Sequence, residues 1–215
     1  MTDQNFETLL VTRPVPHVLL VTLNRPEVAN AFNTQMARDI TLLFEDLTLD
    51  PGDTRCLVLT GAGDRAFCAG GDLKERKGMS DEAWGKQHLV FERMVRAVID
   101  CPAPSIGAVN GAAYAGGCEL ACALDFIYAS DTARFAQTET RIGIIPGDGG
   151  TQTLSRAIGE RRAKELIMAA KPFSAAEALE WGLVNQVLPQ ADLVDAAIEA
   201  AMTIAGNAPV AVRQA

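Results

Sequence analysis

Apolar residues along the chain fall into two kinds of run. Residues 18–23, 56–60 and 105–109 are short, almost unbroken apolar stretches, the length and composition of strands buried on both faces. The first is stopped by Asn24-Arg25-Pro26. Between these runs the spacing becomes helical. Met36, Ile40, Leu43, Phe44 and Leu47 share one face of a helix that Asn33 or Thr34 would cap and that runs to Leu49, before Pro51-Gly52 breaks it. Residues 81–100 place Trp84, Leu89, Phe91, Met94, Val95, Val98 and Ile99 in a second helix. Residues 126–129 and 133–136 read as further strands, and a short helix is expected from Gly116. The last third is helical in pattern, with Ser174-Ala175-Ala176-Glu177 fitting a capping box before one of its helices.

Strands alternate with helices, yet two strands often precede one helix. That pattern predicts an α/β fold of stacked β-β-α units, although no internal repeat stands out. The main unit is expected over residues 1–190. A helix at 191–206 and the start of another at 207–215 open a C-terminal helical region. Nothing in the sequence terminates that last helix, so the region is expected to be incomplete.

Composition narrows the class. The chain has 215 residues, 48% of them hydrophobic and 21% charged, and one substantial domain is expected. No apolar run nears the roughly 18–20 residues that span a bilayer. The acidic start, Met1-Thr2-Asp3-Gln4-Asn5-Phe6-Glu7, has neither a signal nor a transit pattern, so a cytoplasmic location is expected, with no membrane partner. A net charge of −8 opposes nonspecific nucleic-acid binding. Cys56, Cys68, Cys101, Cys118 and Cys122 form no CxxC pair, and His17 and His88 lie far apart. No metal site is expected, and the thiols read as free and buried.

The chemistry gathers around two glutamates. Glu119 ends a glycine-rich stretch and enters the apolar run Leu120-Ala121-Cys122-Ala123-Leu124; Glu139 precedes Gly143-Ile144-Ile145-Pro146-Gly147-Asp148-Gly149-Gly150. A carboxyl in such surroundings is desolvated, and its raised pKa suits proton transfer near neutral pH. Two glycine loops, Ala69-Gly70-Gly71-Asp72 and Ala115-Gly116-Gly117, follow strands and lead into helical turns. Each can offer a backbone N–H, and a pair of such donors would hold an enolate oxygen. Taken singly, either loop could as well be a tight turn. A nucleotide P-loop, a dinucleotide fingerprint and a serine nucleophile elbow are all absent from the sequence.

These segments together resemble the enoyl-CoA hydratase/isomerase (crotonase) family. The matching pieces are Asn24-Arg25-Pro26-Glu27 with Asn30-Ala31-Phe32, then Leu59-Thr60-Gly61 through Ala66-Phe67-Cys68-Ala69-Gly70-Gly71-Asp72-Leu73-Lys74. Next come Ala108-Val109-Asn110-Gly111, Gly116-Gly117-Cys118-Glu119-Leu120 and Ile145-Pro146-Gly147-Asp148-Gly149-Gly150-Thr151-Gln152. The resemblance implies a crotonase-like spiral followed by C-terminal helices. It implies that Gly71 and Gly116 hold the thioester oxygen through their N–H groups. Glu119 would help activate water for attack at C3, and Glu139 would exchange the proton at C2. Glu27, Val28, Ala29, Asn30, Ala69, Gly71, Asp72, Leu73 and Lys74 lie where relatives contact substrate and coenzyme A. No cofactor is implied, coenzyme A being part of the acyl-CoA substrate, and a homotrimer or dimer of trimers is expected.

Both glutamates together favour hydration of a trans-2-enoyl-CoA, or the reverse, over isomerisation or other thioester enolate chemistry. Some relatives bind RNA, and Leu73-Lys74-Glu75-Arg76 resembles that branch. Yet residues 33–50 hold one base, Arg38, against Asp39, Glu45, Asp46 and Asp50, a face that repels phosphate. A catalytically silent homologue is the remaining alternative. Three positions depart from the family pattern. Thr138 replaces a common proline, Ala115 replaces the first glycine of a triple (a mild change on this reading), and Asp148 stands where a small neutral residue is usual. Asp148 either caps the helix beginning near Gly149 or faces the cavity as a third carboxylate.

Overall fold

The computed structural model describes residues 5–215; the acidic N-terminal stretch read above starts in residues 1–4, outside the described residues. Each apolar run joins one of two sheets. The larger holds β1 (Leu9–Val15), β2 (Val18–Leu23), β3 (Cys56–Gly61), β5 (Ser105–Val109), β7 (Phe126–Ser130) and β10 (Gln186–Leu188), in the order β1-β2-β3-β5-β7-β10. The smaller holds β4 (Ala66–Cys68), β6 (Ala112–Tyr114), β8 (Arg134–Ala136) and β9 (Phe173–Ser174), in that order. Neighbours run parallel except for β1 with β2 and β8 with β9.

Three strand pairs, β3/β4, β5/β6 and β7/β8, give their first member to the large sheet and their second to the small one. Each unit therefore advances one place in both sheets at once, which is the stacked β-β-α arrangement expected from the sequence. Successive turns bring the loops after β4 and β6 side by side.

Alternation along β3 explains its unbroken apolar run. Leu57 and Leu59 join the main core, with α1 (Thr34–Leu49), α3 (Asp81–Ile99) and α4 (Gly116–Ala123). Cys56 and Val58 face the other way, with Val18, Ile106 and Ala108, onto Leu193, Ala197, Ala201 and Ala205 of α8 (Leu193–Ala205). Those four recur every fourth residue, and three are alanines, so α8 lies close on the sheet. The boundary expected near residue 190 thus falls between elements that share a core. A short helix, Pro209–Val212, follows α8.

In α1 the Asn33 side chain accepts the Met36 N–H, and all five predicted apolar positions are buried. In α3, Phe91, Met94, Val95 and Val98 are buried, but Leu89 and Ile99 are 63% and 52% exposed. Leu89, two residues before Phe91, lies about 200° round the helix from it and points outward. The capping box at Ser174 and Glu177 forms. No helix among the described residues is long and apolar enough to cross a membrane. All five cysteines are free, with Cys101 and Cys122 only partly buried; burial pushes Cys56 and Cys68 up to about 12, keeping them protonated.

Candidate active site

The loops after β4 and β6 meet. A Cβ built on Gly70 would lie 2.9 Å from the Tyr114 carbonyl oxygen and 3.1 Å from the Gly116 nitrogen. Gly71 forms an isolated parallel bridge with Phe32, in which Phe32 N donates to the Gly70 carbonyl and Asp72 N donates to the Phe32 carbonyl. The N–H groups of Gly71 and Gly116 have no protein acceptor among the described residues. Gly116 is the first residue of α4, where the helix leaves its first N–H groups free and the field favours negative charge.

Two asparagines tie the loops beneath this pair. Asn30 Nδ2 donates to the carbonyls of Ala62 and Ala66 while its Oδ1 accepts from Arg25 N. Asn110 Nδ2 donates to the carbonyls of Gly61 and Gly63, and its Oδ1 accepts from Gly61 N. Ala115, just before α4, adopts φ +51° and ψ −127°, a region that a side chain disfavours. Ala115 is therefore not the mild replacement expected from the sequence: it sits where glycine relieves strain. Next to it, a Cβ on Gly117 would lie 2.0 Å from the Cys68 carbonyl oxygen, so α4 rests directly on the β4 backbone.

Glu119 lies in α4 and is 2% exposed. Its Oε1 accepts from Asp148 N at 2.9 Å and Gly150 N at 2.7 Å. Burial, reinforced by the nearby Asp148 and Glu139 carboxyls, overrides these two donors and pushes its pKa up to about 8. Glu139 opens a turn, Glu139–Ile142, after β8 and is also buried. Burial raises it too, with Asp148 adding to the effect. The Gln137 amide nitrogen, in the orientation that satisfies both groups, donates to Glu139 Oε1 at 3.1 Å and Oε2 at 3.3 Å.

Both glutamates, with Gly71 and Gly116, line one cavity of about 740 Å³. Ala69, Leu73 and Asp148 line it as well. Its apolar wall includes Phe32 and Phe91, packed edge to face with ring centroids 4.8 Å apart. A second wall is polar. Trp84, His88 and Glu92 stand four residues apart along α3, with His88 stacked on Trp84 and its Nε2 3.4 Å from Glu92 Oε1. The Arg76 guanidinium lies over the rings of Trp84 and Phe91 and donates to Gln87. The i, i+4, i+8 spacing of Trp84, His88 and Glu92 places the three on one helical face and is visible in the sequence.

Asp148 does not cap a helix. The helix that follows it, α5 (Gly150–Ile158), is capped at Gly149, and the Gly150 N–H that a capping side chain would take is held by Glu119. Asp148 faces the cavity, with Oδ1 fully shielded and without a hydrogen-bond partner among the described residues. Burial pushes its pKa up to about 6, against the opposing charges of His88 and Arg76.

The remaining positions read as substrate contacts lie elsewhere. Glu27, Val28, Ala29, Asn30, Asp72 and Lys74 are not in the cavity wall. Asn30 is fully buried by the bonds above, and the Ala29 carbonyl accepts from Ala69 N. Asp72 accepts from Lys74 N and Glu75 N and pairs with Arg25 at 2.9 Å. These three build the scaffold of the loop. Glu27 and Lys74 are exposed at the surface. No group of three or more His, Cys, Asp or Glu side chains among the described residues is placed to hold a metal ion.

Comparison with known proteins gives a consistent set of similarities. A family model described as Enoyl-CoA hydratase/isomerase matches residues 16–215. A short-chain-enoyl-CoA hydratase of Clostridium acetobutylicum is 41% identical over 196 residues, covering 91% of this chain and 75% of that protein. The mitochondrial enoyl-CoA hydratase of Pongo abelii is 38% identical over 209 residues, covering 96% and 70%. The crystal structure of an enoyl-CoA hydratase from Bacillus anthracis superposes with a TM-score of 0.94 at 43% identity, covering 96% of this chain and 80% of that one.

Proposed function

Because the chain belongs to the enoyl-CoA hydratase/isomerase family, we propose that it adds water across the C2=C3 bond of a trans-2-enoyl-CoA, or removes it in reverse. The observation that carries this reading is the placement of two buried glutamates, Glu119 and Glu139, in the same cavity as the free N–H groups of Gly71 and Gly116. The thioester carbonyl is taken by the two N–H donors. As water adds at C3, charge moves onto that oxygen, and the donors hold it as an enolate-like oxyanion; one such donor supplies about 3–4 kcal/mol of barrier lowering.

Hydration moves two protons, one off the water and one onto C2. Glu119, anchored through Oε1 by Asp148 N and Gly150 N, leaves Oε2 for the water that attacks C3. Glu139, steadied by Gln137, exchanges the proton at C2. The proton that one carboxyl takes from the water and the proton that the other gives to C2 cancel, so the net protonation of the enzyme is unchanged by a turnover. The reaction is redox-neutral and needs no cofactor; coenzyme A enters with the substrate.

Crotonyl-CoA loses its conjugated absorbance on hydration, which gives a direct assay. Glu119→Gln and Glu139→Gln should each reduce kcat by about 10²-fold or more. Full activity in either variant would rule out the two-carboxylate mechanism. Conversion of a 3-enoyl-CoA without hydration of crotonyl-CoA would assign isomerisation instead.

A further inference from the structure

We propose that Asp148 selects acyl groups bearing a hydrogen-bond donor beside C3, with a hydroxyl on C4 as the matching case; the proposal rests on the enoyl-CoA reading above. Asp148 stands against the reacting centre. Its own N–H is bound by Glu119 Oε1 at 2.9 Å, and its Oδ2 lies 3.5 Å from where a Cβ on Gly116 would be. The carboxyl therefore borders both the water-holding glutamate and the oxyanion donor, where the first acyl carbons beyond C3 must pass.

Neither oxygen of Asp148 receives a hydrogen bond from a described residue, and Oδ1 is shielded as well. A buried acceptor left in this state is costly, and the cost is removed by a ligand that brings a donor. An unsubstituted alkyl chain leaves it unpaired. An acyl carboxylate would face Asp148, Glu119, Glu139 and Glu92 in one cavity. An ammonium group would meet Arg76 and His88 in the same wall. A neutral hydroxyl escapes both penalties. With its pKa near 6, Asp148 is mostly ionised at neutral pH and acts as a strong acceptor.

The test compares 4-hydroxybutanoyl-CoA with pentanoyl-CoA, two saturated thioesters of equal acyl size, by titration calorimetry. Wild type should bind the hydroxylated thioester about tenfold more tightly. Asp148→Ala should abolish or reverse that preference, and Asp148→Asn, whose amide oxygen still accepts, should keep part of it. The same ordering is expected in kcat/KM for 4-hydroxycrotonyl-CoA against trans-2-pentenoyl-CoA. Equal affinities in wild type, or a preference that survives in Asp148→Ala, overturns the assignment. A binding preference with neither enoyl thioester hydrated supports the assignment and refutes the hydration reading. Failure to bind either thioester overturns both.

Discussion

Glu119→Gln is expected to inactivate the protein and, above neutral pH, to stabilise it. The carboxyl is 2% exposed and has no cation among its hydrogen-bond partners. In the unfolded chain its pKa is the ordinary 4.5, and in the folded protein burial, with Asp148, raises it to about 8. The folded state thus binds this proton more tightly. The associated stability is fully present below pH 4.5 and is lost as pH rises through about 8. At about 1.4 kcal/mol for each pH unit, the whole interval amounts to about 5 kcal/mol, an upper bound because water entering the cavity lowers it. Glutamine keeps an oxygen for the Asp148 and Gly150 N–H groups and cannot ionise. Thermal melts of wild type and variant from pH 5 to pH 9 should coincide at the acid end and diverge upward. A few kcal/mol at pH 9 raises the variant's Tm by on the order of 10 °C in a chain of this size. A gap that does not change with pH, or a wild type more stable at pH 9, would refute the argument that burial strains this carboxylate.

Two further substitutions test the backbone beneath the site. Ala115→Gly should raise stability by about 1 kcal/mol, since the relief of strain at φ +51°, ψ −127° exceeds the added entropy of the unfolded glycine; urea midpoints would measure it, and a fall in midpoint would contradict the strain. Gly117→Ala should cost about 3 kcal/mol or more, because the new Cβ would sit 2.0 Å from the Cys68 carbonyl oxygen; a midpoint within error of wild type would mean that α4 does not rest on β4 as described.

The parts of the fold that were legible are those whose own residues carry the signal. β3 and β5 are buried on both faces, and β2 and β7 on one face fully and on the other in part, so each shows as an apolar run. α1 announces itself through spacing and its Asn33 cap. β4, β6 and β9 have three, three and two residues, too few to show a strand alternation of their own. Their existence depends on partners far along the chain, as in the pairing of Ala66 with Ala112. β1 has Pro14 and a register shift between Thr12 and Val15, which break the alternation an edge strand would otherwise show. The splitting of each strand pair between two sheets is likewise a long-range property. At the site, glycines and glutamates were readable because such types are rarely placed together without cause. The polar wall was readable only in part: Trp84, His88 and Glu92 share one helical face by their spacing, but only the fold turns that face, with Arg76, toward the cavity.

The position of the cations explains why three carboxyls can coexist in one cavity. Arg76 and His88 act on Asp148, where they oppose burial, whereas no cation is among the groups that shift Glu119 or Glu139. A cation set directly against the glutamates would lower them and favour their anions. With Arg76 set against Asp148, the glutamates are left to burial and the neighbouring carboxyls, which raise both. Asp148, as an anion, also pushes both glutamates upward. Replacing it by alanine should therefore lower the pH at which hydration begins to fail on the alkaline side, in addition to its effect on acyl choice. That shift, read from the alkaline limb of a kcat/KM profile with crotonyl-CoA, separates the electrostatic role of Asp148 from its hydrogen bond to substrate: crotonyl-CoA offers no donor, so only the field of the carboxylate can move the limb. An unchanged alkaline limb in Asp148→Ala would show that the glutamates hold their proton without it.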